Sequence, residues 1–537
     1  MELSEAIEKP RVDRVSLVRG APSFSKRALS GCLAVTGHHL IFSPTSTSAS
    51  ELWFVHKSVD RCSTDQVPTG ARLTLWFKNF LICIFEFDTL EDAGAVARSV
   101  DILSNLADSR LEYPFFYRCP FAVLEDGWKA FTPEQEFARL QIHTDFWRVS
   151  NVNQDFRVCP SYPQQVIVPK SVSDELLRAS SNFRDGGRFP VLSYFHKETK
   201  SSIVRCSQPL VGVSNRRSKE DEQLLNSLLG PAARGYIIDT RSQSAAQTAK
   251  AKGGGWEQEM YYSRWKRVHR SLPRISQLKE SLTKMLEAVS EGSSHWMGRV
   301  ASSQWLSHVS EVLTCACVAA QCIEREEVPV LIHGGEGVDN TLQVCSLVAI
   351  ILDPDSRTIR GFESLLEREW IGAGHPFARR HAHGPFATGL LTGQHESPTF
   401  LCFLDCLQQI YRQFPCSFEF TEDFLIYLFE HSYASEFGSF LGICEKDKSD
   451  LEVKSKTVSV WSNVNRPEML QKYVNPYYEP NDTPLWPSVA PQSLLVWEKL
   501  FLRWQMDFSE QNAVASTLNQ WKIQEKELMS KVVKLRR

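Results

Sequence analysis

The sequence predicts an α+β protein built from more than one domain. Residues 1–108 carry several short apolar runs and one helical pattern, residues 113–505 alternate strand-like runs with long amphipathic segments, and residues 510–537 repeat apolar side chains at heptad spacing. Runs of short strands predict an antiparallel β-domain, whereas alternating strands and helices predict a layered α/β sheet. We therefore expect an N-terminal β-barrel with a C-terminal helix, then a large α/β domain, then a short coiled coil.

The composition is that of a globular protein and excludes some functional classes. The 537 residues contain 60 Lys and Arg against 63 Asp and Glu, a formal net charge of −3. A chain this close to neutral is not a globally basic nucleic-acid binder. No uninterrupted apolar run approaches the roughly 18 residues of a membrane span, and the 14 cysteines follow no regular framework. The sequence predicts a soluble protein with free thiols in a reducing compartment.

The N-terminal domain is predicted from strand signals that end in a helix. Residues 31–42 form two apolar runs split by a turn, which predicts a hairpin, and the runs at residues 51–55, 73–77 and 81–87 predict further strands. In residues 90–106 the apolar side chains recur every three or four positions, as in a helix. Short strands followed by one helix are typical of a small β-barrel of the pleckstrin-homology type.

The large domain mixes strands with long helices. Residues 188–194 and 235–239 are strand-like, whereas residues 275–289 and 304–323 are amphipathic and predict helices. Residues 379–394 contain several Gly, Pro and His residues and predict a long solvated loop. Because no Cys or carboxylate lies at ligand spacing from these histidines, we expect neither a metal nor a cofactor.

A glycine-rich loop in this domain is the most informative segment of the chain. Residues 330–332 are apolar and predict a strand, and apolar side chains spaced as on one helix face follow in residues 344–351. A strand, a glycine-rich turn and a helix N-terminus aim backbone N–H groups at one point, which suits an anion. A plain turn without a ligand is the alternative from the residues alone. The loop comprises His333, Gly334, Gly335, Glu336, Gly337, Val338, Asp339 and Asn340.

The C-terminal segment, residues 510–537, predicts a coiled coil. Its seam positions are spaced alternately four and three apart, while Lys and Glu fill the other faces. A surface helix that packs on its own domain is the alternative. One seam position is charged, and a buried Glu525 would destabilise a homodimer and favour a partner with a base opposite it. The seam comprises Val514, Leu518, Trp521, Glu525, Leu528, Val532 and Leu535.

The glycine-rich loop resembles the phosphate-binding loop of the myotubularin lipid phosphatases, His-Cys-Ser-Asp-Gly-Trp-Asp-Arg-Thr. His333, Gly337, Asp339 and Thr341 match that signature. The resemblance extends over nearly all of residues 1–505. It implies a PH-GRAM domain in residues 1–108 and a phosphatase-like domain in residues 113–505. Further matching segments are residues 188–193, 205–209, 303–308, 352–362 and 369–377.

The departures from that signature concern the catalytic groups. Gly334 stands where the family has its nucleophilic cysteine, Asn340 replaces the phosphate-clamping arginine, and Glu336 replaces the acidic residue. A glycine cannot form a phospho-enzyme, and a neutral amide cannot match a guanidinium at the developing charge. Cys159, Cys206 and Ser207 lie in family motifs and are interpreted as structural rather than as alternative nucleophiles. The chain is therefore similar to the catalytically inactive members of the family, and we expect no catalytic residue.

The resemblance also implies what such a chain does. Inactive myotubularins pair with active relatives through the C-terminal coiled coil and raise their activity, stability or membrane binding. An active myotubularin-related phosphatase is thus the expected partner, with a homodimer as a further option and no nucleic acid. The family implies a cytoplasmic protein peripherally associated with endosomal or endoplasmic-reticulum membranes.

Two other functions stay open from the sequence. One is a residual phosphatase acting on phosphatidylinositol 3-phosphate or 3,5-bisphosphate. The other is a stand-alone phosphoinositide-binding module, for which weak membrane contact would come from basic residues. The candidates for that contact are Lys9, Arg11, Arg14 and Arg19, together with the turn at residues 253–255.

Overall fold

The computed structural model shows a mixed α+β chain built around two β-sheets. It describes residues 2–19, 28–46, 49–139, 146–290, 295–387, 395–505 and 509–536. Within those ranges the strands form a seven-stranded sheet, a five-stranded sheet and a two-stranded ribbon. The 14 cysteines all lie in these ranges and are free thiols, which confirms the absence of a disulfide framework.

The N-terminal strands form one curled antiparallel sheet with a helix packed against it. Their order across the sheet is β4-β3-β2-β1-β7-β6-β5. The helix, α1 (Leu90–Ser104), begins after Thr89, whose side chain accepts a hydrogen bond from the backbone N–H of Asp92. The strands are β1 (Arg11–Arg19), β2 (Leu29–Val35), β3 (His39–Pro44), β4 (Leu52–Val55), β5 (Val59–Val67), β6 (Gly70–Phe77) and β7 (Ile82–Phe87).

The hairpin, the later strands and the helix of this region are confirmed, but the sequence missed two strands. β1 and β5 are rich in charged and polar residues, so neither shows the apolar run that predicts a strand. β5 forms the edge of the sheet, where one side of the strand faces solvent. The identification of this region as a PH-GRAM domain stays a prediction.

The larger region is organised around the five-stranded sheet. Its order is β10-β11-β14-β12-β13, with β10 antiparallel to β11 and the remaining pairs parallel. The predicted strand at residues 235–239 is confirmed in full, and the one at 188–194 begins three residues later. The strands are β8 (Trp147–Ser150) and β9 (Val166–Pro169), which form the ribbon, then β10 (Val191–Phe195), β11 (Ser202–Cys206), β12 (Gly235–Asp239), β13 (Trp265–His269) and β14 (Val330–His333).

Helices cover this sheet and extend beyond it. Both predicted long helices are confirmed, as α6 and α8. The helices are α2 (Pro133–Arg139), α3 (Asp174–Ser181), α4 (Lys219–Leu228), α5 (Gln243–Ala251), α6 (Ile275–Ser290), α7 (Trp296–Ser303), α8 (Trp305–Glu324), α9 (Asn340–Leu352), α10 (Ile359–Leu366), α11 (Phe377–Arg380), α12 (Thr399–Gln413), α13 (Glu422–Tyr433), α14 (Glu445–Asp450), α15 (Val453–Lys456), α16 (Val460–Val464), α17 (Pro467–Tyr473), α18 (Glu498–Phe501) and α19 (Ser509–Arg536). A π-helical turn, Glu367–Ile371, follows α10 directly.

Helix α8 is a core helix of this region. In the described part of the chain it alone has the length and apolar composition of a membrane span, and half of its most apolar window is buried. Val309, Leu313 and Ala316 are fully buried, and α8 packs against α9 and α12. Burial of this kind inside a layered domain accounts for its composition. Scattered polar residues interrupt the helix, which is why no uninterrupted apolar run marks it in the sequence.

The C-terminal segment is one 28-residue helix, α19, which confirms the helical part of its prediction. Its described seam side chains are exposed: Val514 60%, Leu518 45%, Trp521 63%, Leu528 61% and Val532 42%. Lys526 Nζ donates to the Tyr478 carbonyl oxygen at 3.2 Å. The side chain of Leu535 lies outside the described residues. The exposed seam argues against the alternative of a helix that buries it on its own domain, while coiled-coil pairing stays a prediction.

Candidate functional site

The glycine-rich loop lies at the carboxyl end of the central strand of the five-stranded sheet. β14 ends at His333, residues 334–339 form the loop, and α9 begins at Asn340, so the predicted strand–loop–helix order is confirmed. From Thr341 to Leu352 every residue of α9 is buried, which fixes the helix beneath the loop. A cavity of about 620 Å³ lies over the loop, and its other wall is formed by residues 240–248 and 271–277.

The loop directs backbone N–H groups toward this cavity. Across the described residues, the N–H groups of residues 335–339 have no protein acceptor. Three loop carbonyls instead accept hydrogen bonds from outside the loop, which turns the peptide planes. These bonds run from the Gln208 N–H to Gly335 O (3.0 Å), from Arg188 Nη2 to Gly337 O (2.9 Å) and from His375 Nδ1 to Val338 O (2.8 Å). Such a run of donors ahead of a helix N-terminus forms a concave site for an anion.

His375 and Gly337 hold the shape of the loop. Because a carbonyl only accepts, His375 carries its proton on Nδ1, and burial lowers the pKa of this histidine to about 4. Gly337 has φ +76°, a left-handed conformation in which other residues are strained. A Cβ atom at this position would stand 2.5 Å from the Cys206 carbonyl oxygen. The loop therefore needs a glycine here for two separate reasons.

A buried ion network supports the strand end. His333 Nε2 lies 3.0 Å from Glu257 Oε2, and Glu257 Oε1 accepts from Arg184 Nη1 at 2.6 Å. Arg184 also binds Asp221 through two bonds of 2.8 and 2.6 Å. Burial raises the pKa of Glu257, but the charges and hydrogen bonds of His333 and Arg184 outweigh it and hold that pKa well below its usual range. His333 is thus part of the floor of the site, with no open face toward the cavity.

Gly334, which the loop resemblance places at the nucleophile position, adds no side chain to the site. A Cβ atom there would lie 2.8 Å from Thr240 Oγ1. Among the described residues that line the cavity there is no cysteine. The neighbouring Cys206 is buried, its Sγ lies 3.5 Å from Arg184 Nη1, and burial raises its pKa to about 12. Cys206 therefore stays a thiol at neutral pH.

The side chain of Asn340 is hydrogen-bonded to the wall of the cavity. Its Nδ2 donates to the Pro273 carbonyl oxygen at 3.0 Å, on the wall of the cavity. Asn340 thus contributes a structural hydrogen bond and no positive charge. Glu336 is the exposed residue of the loop, with 74% of its side chain accessible.

One cation near the loop was missed by the sequence analysis. Arg380 is buried and binds Asp339 through two bonds, Nε to Oδ1 at 2.9 Å and Nη2 to Oδ2 at 2.7 Å. Its Nη2 also lies 3.8 Å from Glu336 Oε2. The positive charge is therefore largely neutralised by a carboxylate of the loop itself. Residues 369–377, which resemble a segment of the myotubularin family, end three positions before this arginine. That proximity in sequence was the available indication that Arg380 belongs to the site.

The prediction of a solvated loop at residues 379–394 is wrong for its first half. Arg380 and His381 are buried, and the His381 ring stacks on Tyr433 with centroids 4.1 Å apart. Residues 388–394 lie outside the described residues. Glycine and proline content indicates an irregular backbone, but it does not tell whether that backbone is covered by other parts of the chain.

Asp60 of β5 anchors this irregular segment to the N-terminal sheet. Its carboxylate accepts three backbone N–H groups, from Gly384 at 2.6 Å, Phe386 at 2.8 Å and Ala387 at 3.0 Å. These residues follow Arg380 by only a few positions. The N-terminal sheet thus positions the chain segment that carries Arg380, one of three arginines that line the cavity. The sequence gives no signal for this contact, since it joins residues more than 300 positions apart.

Two of the four basic residues proposed for membrane contact form ion pairs in the structure. Lys9 pairs with Asp92, and Arg11 Nε lies 3.0 Å from Asp13 Oδ1. In the glycine turn at residues 253–255, the Gly254 carbonyl accepts from the Gly212 N–H at 2.8 Å. These contacts reduce the positive charge that the N-terminal stretch presents to an anionic surface.

Comparison with known proteins agrees with the loop motif. A family model described as the myotubularin-like phosphatase domain matches residues 112–449. Myotubularin-related protein 9 of Caenorhabditis elegans is 50% identical, over 100% of this chain and 97% of its own length. The Homo sapiens protein of that name is 51% identical, over 94% of this chain and 91% of its own length. The Homo sapiens phosphatidylinositol-3,5-bisphosphate 3-phosphatase MTMR6 is 33% identical, over 98% of this chain and 84% of its own length. The chain belongs to the myotubularin-related family.

Proposed function

We propose that this chain is a pseudophosphatase that acts as a regulatory subunit of active myotubularin-related lipid phosphatases. The observation that carries the proposal is the pair of replacements in the loop. Gly334 occupies the nucleophile position with no side chain, and the Asn340 amide is turned to Pro273. Without a thiolate no phospho-enzyme forms, and the loss of one donor to a developing oxyanion alone costs about 10²–10³ in rate.

The remaining geometry supports weak phosphate binding at most. The N–H groups of residues 335–339 would still contact an anion. Asp339 and Glu336 place two carboxylates beside these donors, and Arg380 neutralises mainly the first of them. A site that keeps its shape but has lost its nucleophile suits a protein whose role lies in its surfaces.

The surface that suits a regulatory role is the seam of α19. Five of its apolar side chains are between 42% and 63% exposed, and they follow one another over almost five turns. Pairing with a second helix would bury them. Glu525, at an a-type position, already forms an ion pair with Lys522 at 2.8 Å on the same helix. A partner with a basic residue opposite Glu525 would be preferred over a second copy of this chain.

Membrane association would then be a property of the complex. Two linked modules that each contact lipid weakly remain bound longer through effective concentration. A partner that binds only the folded phosphatase would also stabilise it by mass action. On this proposal the protein is cytoplasmic and peripherally associated with endosomal or endoplasmic-reticulum membranes, where its active partner finds phosphoinositides.

The test replaces two seam leucines by aspartate, Leu518→Asp and Leu528→Asp. Burying a leucine side chain stabilises by about 1.5–3 kcal/mol. Scaled by the exposed fractions of 45% and 61%, the two leucines contribute about 2–3 kcal/mol to pairing. We therefore expect at least about tenfold weaker binding, and in a co-purification with the human phosphatase MTMR6 the variant would be lost on washing.

A matched control carries the same added charge on the opposite helix face. Ser516→Asp and Ser530→Asp occupy exposed f-type positions and should leave pairing unchanged. Circular dichroism reports whether either variant alters the fold. Retention of the leucine variant at the level of the control would overturn the seam as the contact.

A second candidate, residual phosphatase activity, is favoured by the intact row of loop N–H groups. It predicts phosphate release from phosphatidylinositol 3-phosphate or 3,5-bisphosphate by the pure protein, above a heat-killed sample. A third candidate, a lipid-binding module acting alone, predicts flotation with phosphoinositide vesicles without any partner. The regulatory proposal predicts neither result, so the two assays separate the three functions.

A further inference from the structure

A second cavity lies apart from the phosphate loop. It measures about 290 Å³ and is bounded by α2, β9, β10, the π-helical turn Glu367–Ile371 and the helices α14 and α15. None of its described lining residues also lines the cavity over the loop. Cavities of roughly 300 Å³ are large enough to enclose a small organic ligand. The π-helical geometry of one wall is uncommon and is often found at functional sites.

Two arginines that line this cavity flank a single carboxylate. Arg205 Nε donates to Glu369 Oε2 at 2.9 Å, and Arg368 Nε lies 3.5 Å from Glu369 Oε1. Both arginines line the cavity, and Arg205 is 4% exposed. Arg205 Nη1 and Arg368 Nη2 are buried and have no hydrogen-bond partner among the described residues. Buried guanidinium N–H groups without acceptors are costly, and an acceptor supplied by a ligand would satisfy them.

The neighbouring carboxylates are already engaged. Glu136 accepts from Arg139 at 2.9 and 2.7 Å and from Arg368 Nη1 at 2.5 Å. Glu367 accepts from Trp461 Nε1 at 2.5 Å, and burial raises its pKa, which favours its neutral form. Two other acids sit toward the rim, where Glu134 is exposed and Glu445 pairs with Lys454 at 3.0 Å. Among the described residues that line the cavity, the buried side-chain atoms without a partner are therefore donors of the two arginines, although Oε1 of the adjacent Glu369 is unsatisfied as well.

The rest of the lining combines apolar and polar side chains. Trp128, Phe131, Val166, Leu192 and Ile371 are apolar, whereas Gln164, Gln165 and Lys454 are polar. Lys448, on α14, is buried, but its Nζ donates to the Ser439 carbonyl oxygen. A cavity that combines apolar surface with a few polar groups is the usual architecture of a site for an amphipathic small molecule. The open donors of two guanidinium groups favour an anion, and planar guanidinium N–H groups suit a carboxylate in particular.

We propose that this cavity is a binding site for a small organic carboxylate, with the carboxylate on Arg205 and Arg368 and an aliphatic or aromatic body against Trp128 and Ile371. The site is independent of the phosphate loop and of the C-terminal seam. Its ligand would therefore bind whether or not the regulatory role proposed above is correct.

The experiment titrates 4-phenylbutyrate and its neutral amide, 4-phenylbutyramide, into the full chain by isothermal titration calorimetry. A ligand of this size that buries its ring and satisfies two charged donors should bind with a Kd on the order of 0.1–1 mM. Because the amide lacks the negative charge, we expect it to bind at least about tenfold more weakly. Equal affinity of the two probes would overturn the proposal, since the arginines would then play no part.

Two variants locate the site. Arg368→Gln removes one guanidinium while Glu136 keeps its bonds from Arg139, and it should weaken 4-phenylbutyrate binding at least tenfold. Ser364→Met extends a side chain into the cavity and should abolish binding without removing a charge. Arg178→Gln, on the exposed face of α3, is the matched control and should bind as the unmodified chain does.

Circular dichroism reports whether each variant is folded. If one variant does not fold, the other still tests the site. Wild-type affinity in a folded Ser364→Met variant would show that the probe binds elsewhere and would refute the proposal. The absence of binding heat with the unmodified chain at millimolar probe would also refute it, because the cavity would then hold only solvent.

Discussion

Replacing Gly337 by alanine tests whether the loop owes its shape to one backbone conformation. The left-handed conformation of a non-glycine residue costs about 1–2 kcal/mol. The added Cβ would stand 2.5 Å from the Cys206 carbonyl oxygen and 3.3 Å from Ser207 Cα. Because both atoms belong to the backbone, the sheet or the loop must move, and overpacking of this kind costs about 1–3 kcal/mol. The free energy of unfolding should therefore fall by about 2–5 kcal/mol.

Gly335→Ala provides the matched control, since no heavy atom lies within 4 Å of a Cβ built there and its φ is not left-handed. That variant should stay within about 0.5 kcal/mol of the unmodified chain. Thermal unfolding followed by tryptophan fluorescence measures both, with an expected decrease of about 2–4 °C for Gly337→Ala in a chain of this length. Equal melting temperatures for the two variants would refute the argument that the loop is held by this contact.

Other outcomes follow from the same site. Gly334→Cys should release at most trace phosphate from phosphatidylinositol 3-phosphate, and adding Asn340→Arg should raise that release by about 10²–10³. Equal release by the single and the double variant would show that the reaction does not need the guanidinium group. Acidification should destabilise the chain, because the pKa of His375 is lowered to about 4 in the fold from about 6.5 when unfolded. The stabilising contribution of its neutral form, at most about 3 kcal/mol, is present above pH 6.5 and is lost as the pH falls toward 4. The melting temperature of His375→Gln should therefore depend less steeply on pH in that window, and an unchanged slope would contradict this assignment.

Much of the fold could be predicted from sequence periodicity. β12 matches its apolar run residue for residue, and α1, α6 and α8 follow the three-to-four spacing of their buried positions. β1 and β5 could not be predicted in this way, because a strand that is partly exposed does not need an apolar run. Their place in the sheet is decided by hydrogen bonds to β2, β6 and β7, which connect distant parts of the chain.

The backbone elements of the site could be predicted from the sequence, whereas the ion pair between Arg380 and Asp339 could not. The spacing of residues 330–351 indicated the strand, the loop and the helix, since these are local features. Arg380 could not be placed, because a sequence pattern gives no information on which buried carboxylate a distant arginine meets. Its pairing with Asp339 depends on the fold of residues 377–387, which Asp60 holds from another sheet.

The three hydrogen bonds received by Asp60 have a consequence for how this chain can be divided. A phosphatase-like fragment that begins near residue 112 would leave the N–H groups of Gly384, Phe386 and Ala387 without their acceptor. The N-terminal sheet, cut out alone, would keep a carboxylate with nothing to bind. Chimaeras that exchange the N-terminal region between relatives should therefore succeed only when the residues that meet this carboxylate are exchanged as well.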